Sequence, residues 1–262
     1  MLKSIIFLLN KYEEPDLSAL SPAGVFYSLP ESPEGAIVVT DDKETFRSTR
    51  ESGFAAIFCS DGEKFTDGAE YVAESATAVD YEFAHKAYCR MKELPLTVLE
   101  TERTVIREMS VSDLPELYAI YDDRDVRRYV EPLMEYEQEK KSVESYIRNM
   151  YGFCGFGLWS VVARGSGRLI GRAGISLREI NGEDRLEMGY VIAREYRRKG
   201  YAYEVCAAIK DYAFEKLGAE VLYIVTSSDN TPSVKTAEKL GFGSPSISVV
   251  NGCEYMIFQC KE

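Results

Sequence analysis

Two kinds of apolar pattern alternate along the first hundred residues. Ile37-Val38-Val39 and Ala55-Ala56-Ile57-Phe58 are unbroken apolar runs, as expected of strands covered on both faces. Strands are predicted over residues 4–9, 24–28, 36–40 and 54–59, with a shorter one near Tyr71-Val72. Residues 42–51 read as a helix closed by Gly53, and residues 81–93 as a second helix with Asp80 at its N-cap. Such alternation predicts a small α/β unit with mainly parallel strands. Leu94-Pro95-Leu96 breaks the pattern. Residues 1–95 are therefore expected to form one domain, 96–102 a linker, and 103–262 a second domain.

The second half has a different order of elements. A strand over 104–108 is followed by Ser112, expected to cap a helix through Leu114, Leu117 and Tyr118. A short segment, 125–130, stops at Pro132, and a longer helix is predicted over 135–150. Three strands in meander follow at 158–163, 169–176 and 185–193, turned by Ser166-Gly167 and Asn181-Gly182. A helix over 200–216 carries Ala202, Val205, Ile209 and Tyr212 at helical spacing and closes at Gly218. A strand at 221–226, a helix at 231–240 stopped by Gly241, and two strands about Asn251-Gly252 complete the pattern. There is no internal repeat and no low-complexity tract.

Charge and cysteine usage narrow the classes of function. The net charge is −12, and residues 1–102 hold nine Lys/Arg against nineteen Asp/Glu. An acidic chain repels phosphate backbones and anionic lipid, so neither nucleic acid nor a membrane is the expected partner; a cationic amine is easier to accommodate. Cys59, Cys89, Cys154, Cys206, Cys253 and Cys260 form no CxxC pair, and His85 is the one histidine, so no metal site is expected. His85 lies in a helical pattern and is read as structural. The apolar run near Met1 is too short for a leader and reads as a strand, which makes the cytoplasm the default compartment.

The segment from Met188 to Ala202 joins a strand, a basic loop and a helix start. A helix N-terminus leaves about four N–H groups unpartnered and carries partial positive charge. Gly200 lets a ligand approach the backbone, Ala202 keeps that approach clear, and Arg197, Arg198 and Lys199 add cationic charge. A diphosphate is the natural occupant; an ordinary solvated basic turn is the alternative. Arg197-x-x-Gly200-x-Ala202 matches the Q/R-x-x-G-x-G/A signature of the GNAT superfamily of acyl-CoA N-acyltransferases. The run from Glu187 through Ala202 resembles the branch that includes ribosomal-protein N-terminal acetyltransferases. Further matches are Gly157-Leu158-Trp159-Ser160-Val161, Gly167-Arg168-Leu169-Ile170-Gly171, and Asn230-Thr231-Pro232-Ser233 leading into Ala237-Glu238-Lys239-Leu240-Gly241-Phe242.

This resemblance covers residues 101–259 and implies an α/β fold whose mixed central sheet is splayed open near its middle. It implies acetyl-CoA as cosubstrate, with Tyr190, Val191 and Ile192 offering backbone groups to the pantetheine arm. The N–H groups of Arg198, Lys199, Gly200, Tyr201 and Ala202 would then hold the diphosphate, with Arg197 beside them, and Asn230 would bond near the thioester. Glu187 is the expected base and Ser233 a proton donor, because Ala237 stands where many members carry a tyrosine acid; Tyr190 and Tyr201 are further possibilities for that acid. Glu187 as an ammonium-binding or surface carboxylate, and Ser233 as a first-turn residue bonding its own backbone, stay open. Acceptor contacts are expected from Tyr129, Glu131 and Trp159, with Tyr136 in the same region, the acceptor being a primary amine on a small molecule or a protein N-terminus. A monomer or a homodimer is expected.

Residues 36–59, with Asp41-Asp42 after the strand, resemble the C-terminal half of haloacid-dehalogenase-like phosphatases. The D-x-D nucleophile is missing at Leu8-Leu9-Asn10, which implies a non-catalytic remnant shaping the acceptor pocket or an interface. Two rival readings remain: a non-catalytic acyl-CoA sensor, and phosphatase-like activity in the N-terminal domain.

Overall fold

A computed structural model describes residues 1–10, 15–60, 68–180, 182–250 and 253–262. The chain divides into two compact units, Met1–Leu96 and Thr97–Glu262.

In the first unit five strands pair in parallel: β1 (Ser4–Leu8), β2 (Gly24–Phe26), β3 (Ala36–Thr40), β4 (Ala55–Cys59) and β5 (Val72–Ala73). Their spatial order is β2-β1-β3-β4-β5. All five residues of β3 and of β4 are buried, which accounts for their unbroken apolar runs. Helix α1 (Lys43–Glu51) starts at Asp42, whose carboxylate accepts the Thr45 N–H at 2.8 Å. Helix α2 (Tyr81–Met91) starts at Asp80 in the same way, on the Phe83 N–H at 2.7 Å. Ile5, Ile37 and Ile57 pack with Ala84 and Tyr88 of α2, while Ile6, Val38 and Phe58 pack with Phe46 of α1. Asp41 accepts the Asn10 N–H at 2.7 Å across the ends of β1 and β3.

The second unit is built on an eight-stranded mixed sheet. Its strands are β6 (Thr97–Glu100), β7 (Thr104–Arg107), β8 (Leu158–Ala163), β9 (Leu169–Ile180), β10 (Glu183–Ile192), β11 (Val221–Ser227), β12 (Ser246–Val250) and β13 (Cys253–Lys261). The order is β12-β13-β11-β10-β9-β8-β7-β6, and only β10 and β11 run parallel. Part of the segment expected as a linker is thus strand β6, paired with β7.

Helix α6 (Tyr201–Glu215) covers one face, burying Val205, Cys206, Ile209 and Ala213 against Trp159 and Met188. Helix α7 (Thr231–Lys239) follows β11 and adds Ala237 to the same cluster. The other face carries α3 (Leu114–Tyr121), the short α4 (Arg124–Arg127) and α5 (Tyr136–Tyr146). Leu114, Leu117, Tyr121 and Val143 pack there with Leu169 and Ala193.

Two helix boundaries differ from expectation. Ser110, not Ser112, caps the turn before α3: a capping box joins it to Asp113, whose carboxylate accepts the Ser110 N–H at 2.9 Å. The long helix leaves α-geometry after Tyr146 and continues as a π-helix through Cys154. The wider turn carries Tyr151 inward, where its hydroxyl donates to the Leu158 carbonyl and accepts the Met109 N–H at 3.2 Å. Asn181 and the Asn251-Gly252 turn lie outside the described residues. Among the described residues no helix is long and apolar enough to cross a membrane, and no group of His, Cys, Asp or Glu is placed to hold a metal ion.

Candidate functional site

Strand β10 has two unlike edges. It keeps a ladder with β9 from Glu183–Ile180 to Ile192–Gly171, but it shares one bridge with β11, Glu187 opposite Tyr223. Beyond that bridge the two parallel strands part, leaving a gap that opens toward the start of α6. The Ala193 N–H bonds to the Ile170 carbonyl at 2.8 Å. Bonded and non-bonded pairs alternate in an antiparallel ladder, so residues 187, 189 and 191 also direct their main-chain groups at β9. Tyr190 and Ile192 therefore turn theirs to the gap. Val191, expected among the backbone contacts, does not; its side chain packs beside Leu114 and Leu169 instead. The Ile192 carbonyl accepts the Arg197 Nε–H at 2.8 Å, so its N–H is the group it offers.

At the mouth of the gap the loop changes hand twice: Arg198 has φ 58° and Gly200 φ 87°. Left-handed residues on either side of Lys199 turn neighbouring N–H groups to one side, a concave arrangement suited to an anion. Helix α6 begins at Gly200 with no side chain capping it, so its first N–H groups join that opening. Arg198, Lys199 and Gly200 are exposed, while Tyr201 and Ala202 are half-buried in the first turn.

Arg197, expected to add cationic charge here, is turned away. It bonds to Asp123 at 3.0 Å and to Asp125 at 3.4 Å, as well as to Ile192, and so fastens the loop to the start of α4. Burial opposes ionisation of Asp123, but the Arg197 guanidinium together with the Val126 and Asp125 N–H groups more than offsets it and holds the carboxyl below its ordinary value.

Arg103, in the turn between β6 and β7, carries no motif, yet it organises this loop. Its Nη1 donates to the Lys199 carbonyl at 2.9 Å, its Nε and Nη2 reach Glu204 at 2.6 Å, and its guanidinium lies 4.2 Å from the Tyr201 ring centre. Tyr201 meets Tyr196 edge-on at 5.4 Å. The carbonyl between the two left-handed residues is thus held, which fixes where the adjoining N–H groups point.

Glu187 stands at the apex of the gap, half-buried and paired with Arg178, whose Nη1 reaches its two carboxylate oxygens at 3.0 and 3.2 Å. Burial raises its carboxyl above the ordinary glutamate value, against the pull of Arg178 and of the Val225 N–H. A carboxylate raised in this way accepts a proton more readily than an ordinary glutamate. Beside it, Gly189 is open: a Cβ there would meet only Leu158 Cδ2, at 4.0 Å. On the other side of the bridge a cavity of about 350 Å³ is lined by Arg185, Tyr223, Ser246 and Gln259 among others.

Across the gap, Asn230 caps α7, its side-chain oxygen accepting the Ser233 N–H at 3.4 Å. The amide nitrogen is the donor it can offer a ligand. Ser233 and Thr236 lie beside the Tyr190 hydroxyl; burial pushes that phenol up to about 12, and the two hydroxyls temper the rise. A tyrosine from the strand and a serine from the helix thus meet close to the buried Ala237.

The expected acceptor residues are scattered. The Tyr129 hydroxyl donates to the Asp229 carbonyl at 3.2 Å, next to an Arg128–Asp229 ion pair, so it ties α4 to the loop before α7. Glu131 is exposed just beyond α4. Trp159 is 1% exposed and packs edge-on against Tyr212 of α6. Its alternation in β8 points it at the helix-covered core, not at Glu187, so it is a core residue. Tyr136 rests against Tyr118, ring centres 5.8 Å apart.

Residues 103–243 match the family described as acetyltransferase (GNAT) domain; the match begins after the first unit. YkkB, an uncharacterised protein of Bacillus subtilis, is 31% identical over 146 residues, which cover 55% of this chain and 84% of its own. A ribosomal-protein-S5-alanine acetyltransferase from Vibrio fischeri is similar in structure, with TM-score 0.54 and 16% identity over 62% of this chain and 95% of its own. RimL, a ribosomal L7/L12 α-N-protein acetyltransferase solved with coenzyme A, has TM-score 0.54 and 13% identity over 63% and 98%. The two structural likenesses show the fold.

Proposed function

The chain belongs to the acetyltransferase (GNAT) family, and from that acyl-CoA-dependent chemistry we propose that it moves an acetyl group from acetyl-CoA to a primary amine, on a small molecule or a protein N-terminus, by direct attack in a ternary complex. The observation that carries the reading is the gap between β10 and β11 with an uncapped helix start at its mouth. Acetyl-CoA supplies the acyl carbon as a thioester. The N–H groups from Arg198 to Ala202 bind its diphosphate, and the main-chain groups of Tyr190 with the Ile192 N–H align the pantetheine arm, as a neighbouring strand would. The Asn230 amide nitrogen bonds near the thioester.

Glu187 takes the proton that the amine sheds as the new C–N bond forms, directly or through water. Tyr190, protonated throughout the working range, returns a proton to the departing sulfur with Ser233 beside it. Two tests apply. Calorimetry of the whole chain with CoA should give one site; no heat would overturn the reading. Acetyl-CoA consumption across an amine panel should persist in wild type and fall in Glu187→Gln by roughly two orders of magnitude or more, the usual contribution of a positioned base. A variant as fast as wild type would remove Glu187 from the chemistry.

A further inference from the structure

Three successive β9–β10 pairs, Ser176–Glu187, Gly174–Gly189 and Arg172–Val191, present their side chains to the face covered by α3 and α5. Glu187 stands at one end of this row and Arg172 at the other. Between them Gly189 is open, whereas Gly174 on the β9 side is buried under the Gly157 carbonyl, 2.0 Å from where a Cβ on Gly174 would stand.

Arg172 differs from the other arginines around the site. Arg103, Arg107, Arg178 and Arg197 each pair with a carboxylate. Arg172 has an aromatic ring instead, its guanidinium 5.3 Å from the centre of Tyr121. Among the described residues no carboxylate lies within ion-pairing distance of it. It is half-buried, and its charge reaches the phenols of Tyr146 and Tyr151, opposing the upward push that burial gives both. A guanidinium drawn part-way out of water without an anion is costly, and this one sits in a chain of net charge −12 with acidic groups to spare. The flat fork of an arginine suits a carboxylate or a phosphate.

We propose that Arg172 is the anchor for an anionic group on the acceptor. The amine presented at Glu187 belongs to a molecule whose carboxylate or phosphate lies several bonds away and is held by Arg172. The two positions lie four residues apart along adjacent strands, about 13 Å, a span that an acceptor several bonds long covers together with the long Arg172 side chain. The amine end of this assignment rests on the acetyl-transfer reading; the anion end does not.

The test uses matched acceptors: γ-aminobutyrate against butylamine for a carboxylate, and phosphoethanolamine against ethanolamine for a phosphate. Wild-type enzyme should favour the anionic member of at least one pair by about tenfold or more in kcat/KM, the worth of one charge-assisted bond. Arg172→Gln should bring that pair to near parity by raising KM for the anionic amine, with KM for acetyl-CoA and kcat/KM for the neutral amine unchanged. Equal rates for both members of both pairs in wild type would overturn the proposal, as would a variant that loses neutral and anionic acceptors alike. Should Arg172→Gln fail to fold, Arg172→Lys keeps the charge without the fork, and a variant retaining the full wild-type preference would count against the arginine. Should no amine react although CoA binds, the transfer reading fails and the anchor is judged separately. Melting of CoA-saturated protein must then rise with γ-aminobutyrate or phosphoethanolamine in wild type and not in the variant, and no rise in wild type would overturn the anchor too.

Discussion

Replacing Arg178 with glutamine removes the charge that stabilises the Glu187 carboxylate and leaves the strand pairing intact. The guanidinium lies 3.0 and 3.2 Å from the two carboxylate oxygens. Coulomb's law at 3.0 Å gives about 1.4 kcal/mol at the dielectric of water and about 5.5 kcal/mol at an effective dielectric of 20. The Arg178 side chain is 41% exposed, which places the value at the lower end. An energy of about 1.4 kcal/mol is a factor of ten in the ionisation equilibrium. Burial already raises the Glu187 carboxyl, and Arg178 acts against that rise. Its loss moves the carboxyl further up, so a smaller fraction is ionised at any pH on the acid side. The assay is kcat/KM for the amine against pH at saturating acetyl-CoA, taken as the ratio of Arg178→Gln to wild type. Titration of the acceptor's own ammonium is common to both enzymes and cancels in the ratio. The ratio should be about one-tenth on the acid limb and climb to one at higher pH, where Glu187 is ionised in both. A ratio that stays flat across the range would refute the reasoning, because the titrating base would then not feel Arg178.

Arg103→Ala should weaken CoA binding by roughly tenfold in calorimetry, the loss of one charge-assisted bond to the Lys199 carbonyl, with KM for the amine unmoved. Gly200→Ala should also weaken CoA binding by about tenfold or more, since φ 87° costs an L-residue about 1–2 kcal/mol and the new Cβ would sit 3.3 Å from Arg103 Nη2; an unchanged Kd would remove the loop from the site. Asp113→Asn should cost about 3 kcal/mol by denaturant melts, toward the low end for a broken buried pair because Arg107 is 23% exposed, and should lower Tm by roughly 10 °C. Burial opposes ionisation of Asp113, but Arg107, the Ser110 N–H and Ser160 hold its carboxyl below the ordinary value of 3.8. Its contribution is therefore complete above that value and lost as pH falls through the folded-state value, so the two proteins should converge in acid.

What could be read from the sequence was whatever depends on near neighbours along the chain. Apolar periodicity located the buried strands β3 and β4, and the aspartate caps of α1 and α2 followed from residue type at a fixed offset. The basic loop at Arg197–Ala202 was visible because a helix start binds anions through consecutive N–H groups. Single side chains were harder. Arg197 fits the motif, but its guanidinium is claimed by Asp123 and Asp125, more than seventy residues earlier. Arg103 fits no motif because its partners, Lys199 and Glu204, lie about a hundred residues later. Trp159 looked like a pocket lining from its polar tip, and only the register of β8 on β9 shows that it faces α6.

The same register gives β10 two chemically different sides. In β10 the main-chain groups of residues 187, 189 and 191 are bound to β9, and their side chains face α3 and α5: a carboxylate, a bare glycine and an apolar valine. Met188 and Tyr190 point their side chains the other way, toward α6 and α7, and past the bridge the main-chain groups of Tyr190 and the Ile192 N–H turn to the gap. Under the proposed acetyl transfer, the donor thioester would be aligned by backbone from the edge and the acceptor amine met by side chains from one face, so the two approaches would converge beside Glu187 without competing for the same atoms. Sliding β10 by one residue would exchange the two sets and place Met188 where Glu187 stands. The ladder to β9, which runs the full length of β10, and the single Glu187–Tyr223 bridge to β11 therefore fix which residues of β10 face the gap and which face α3 and α5.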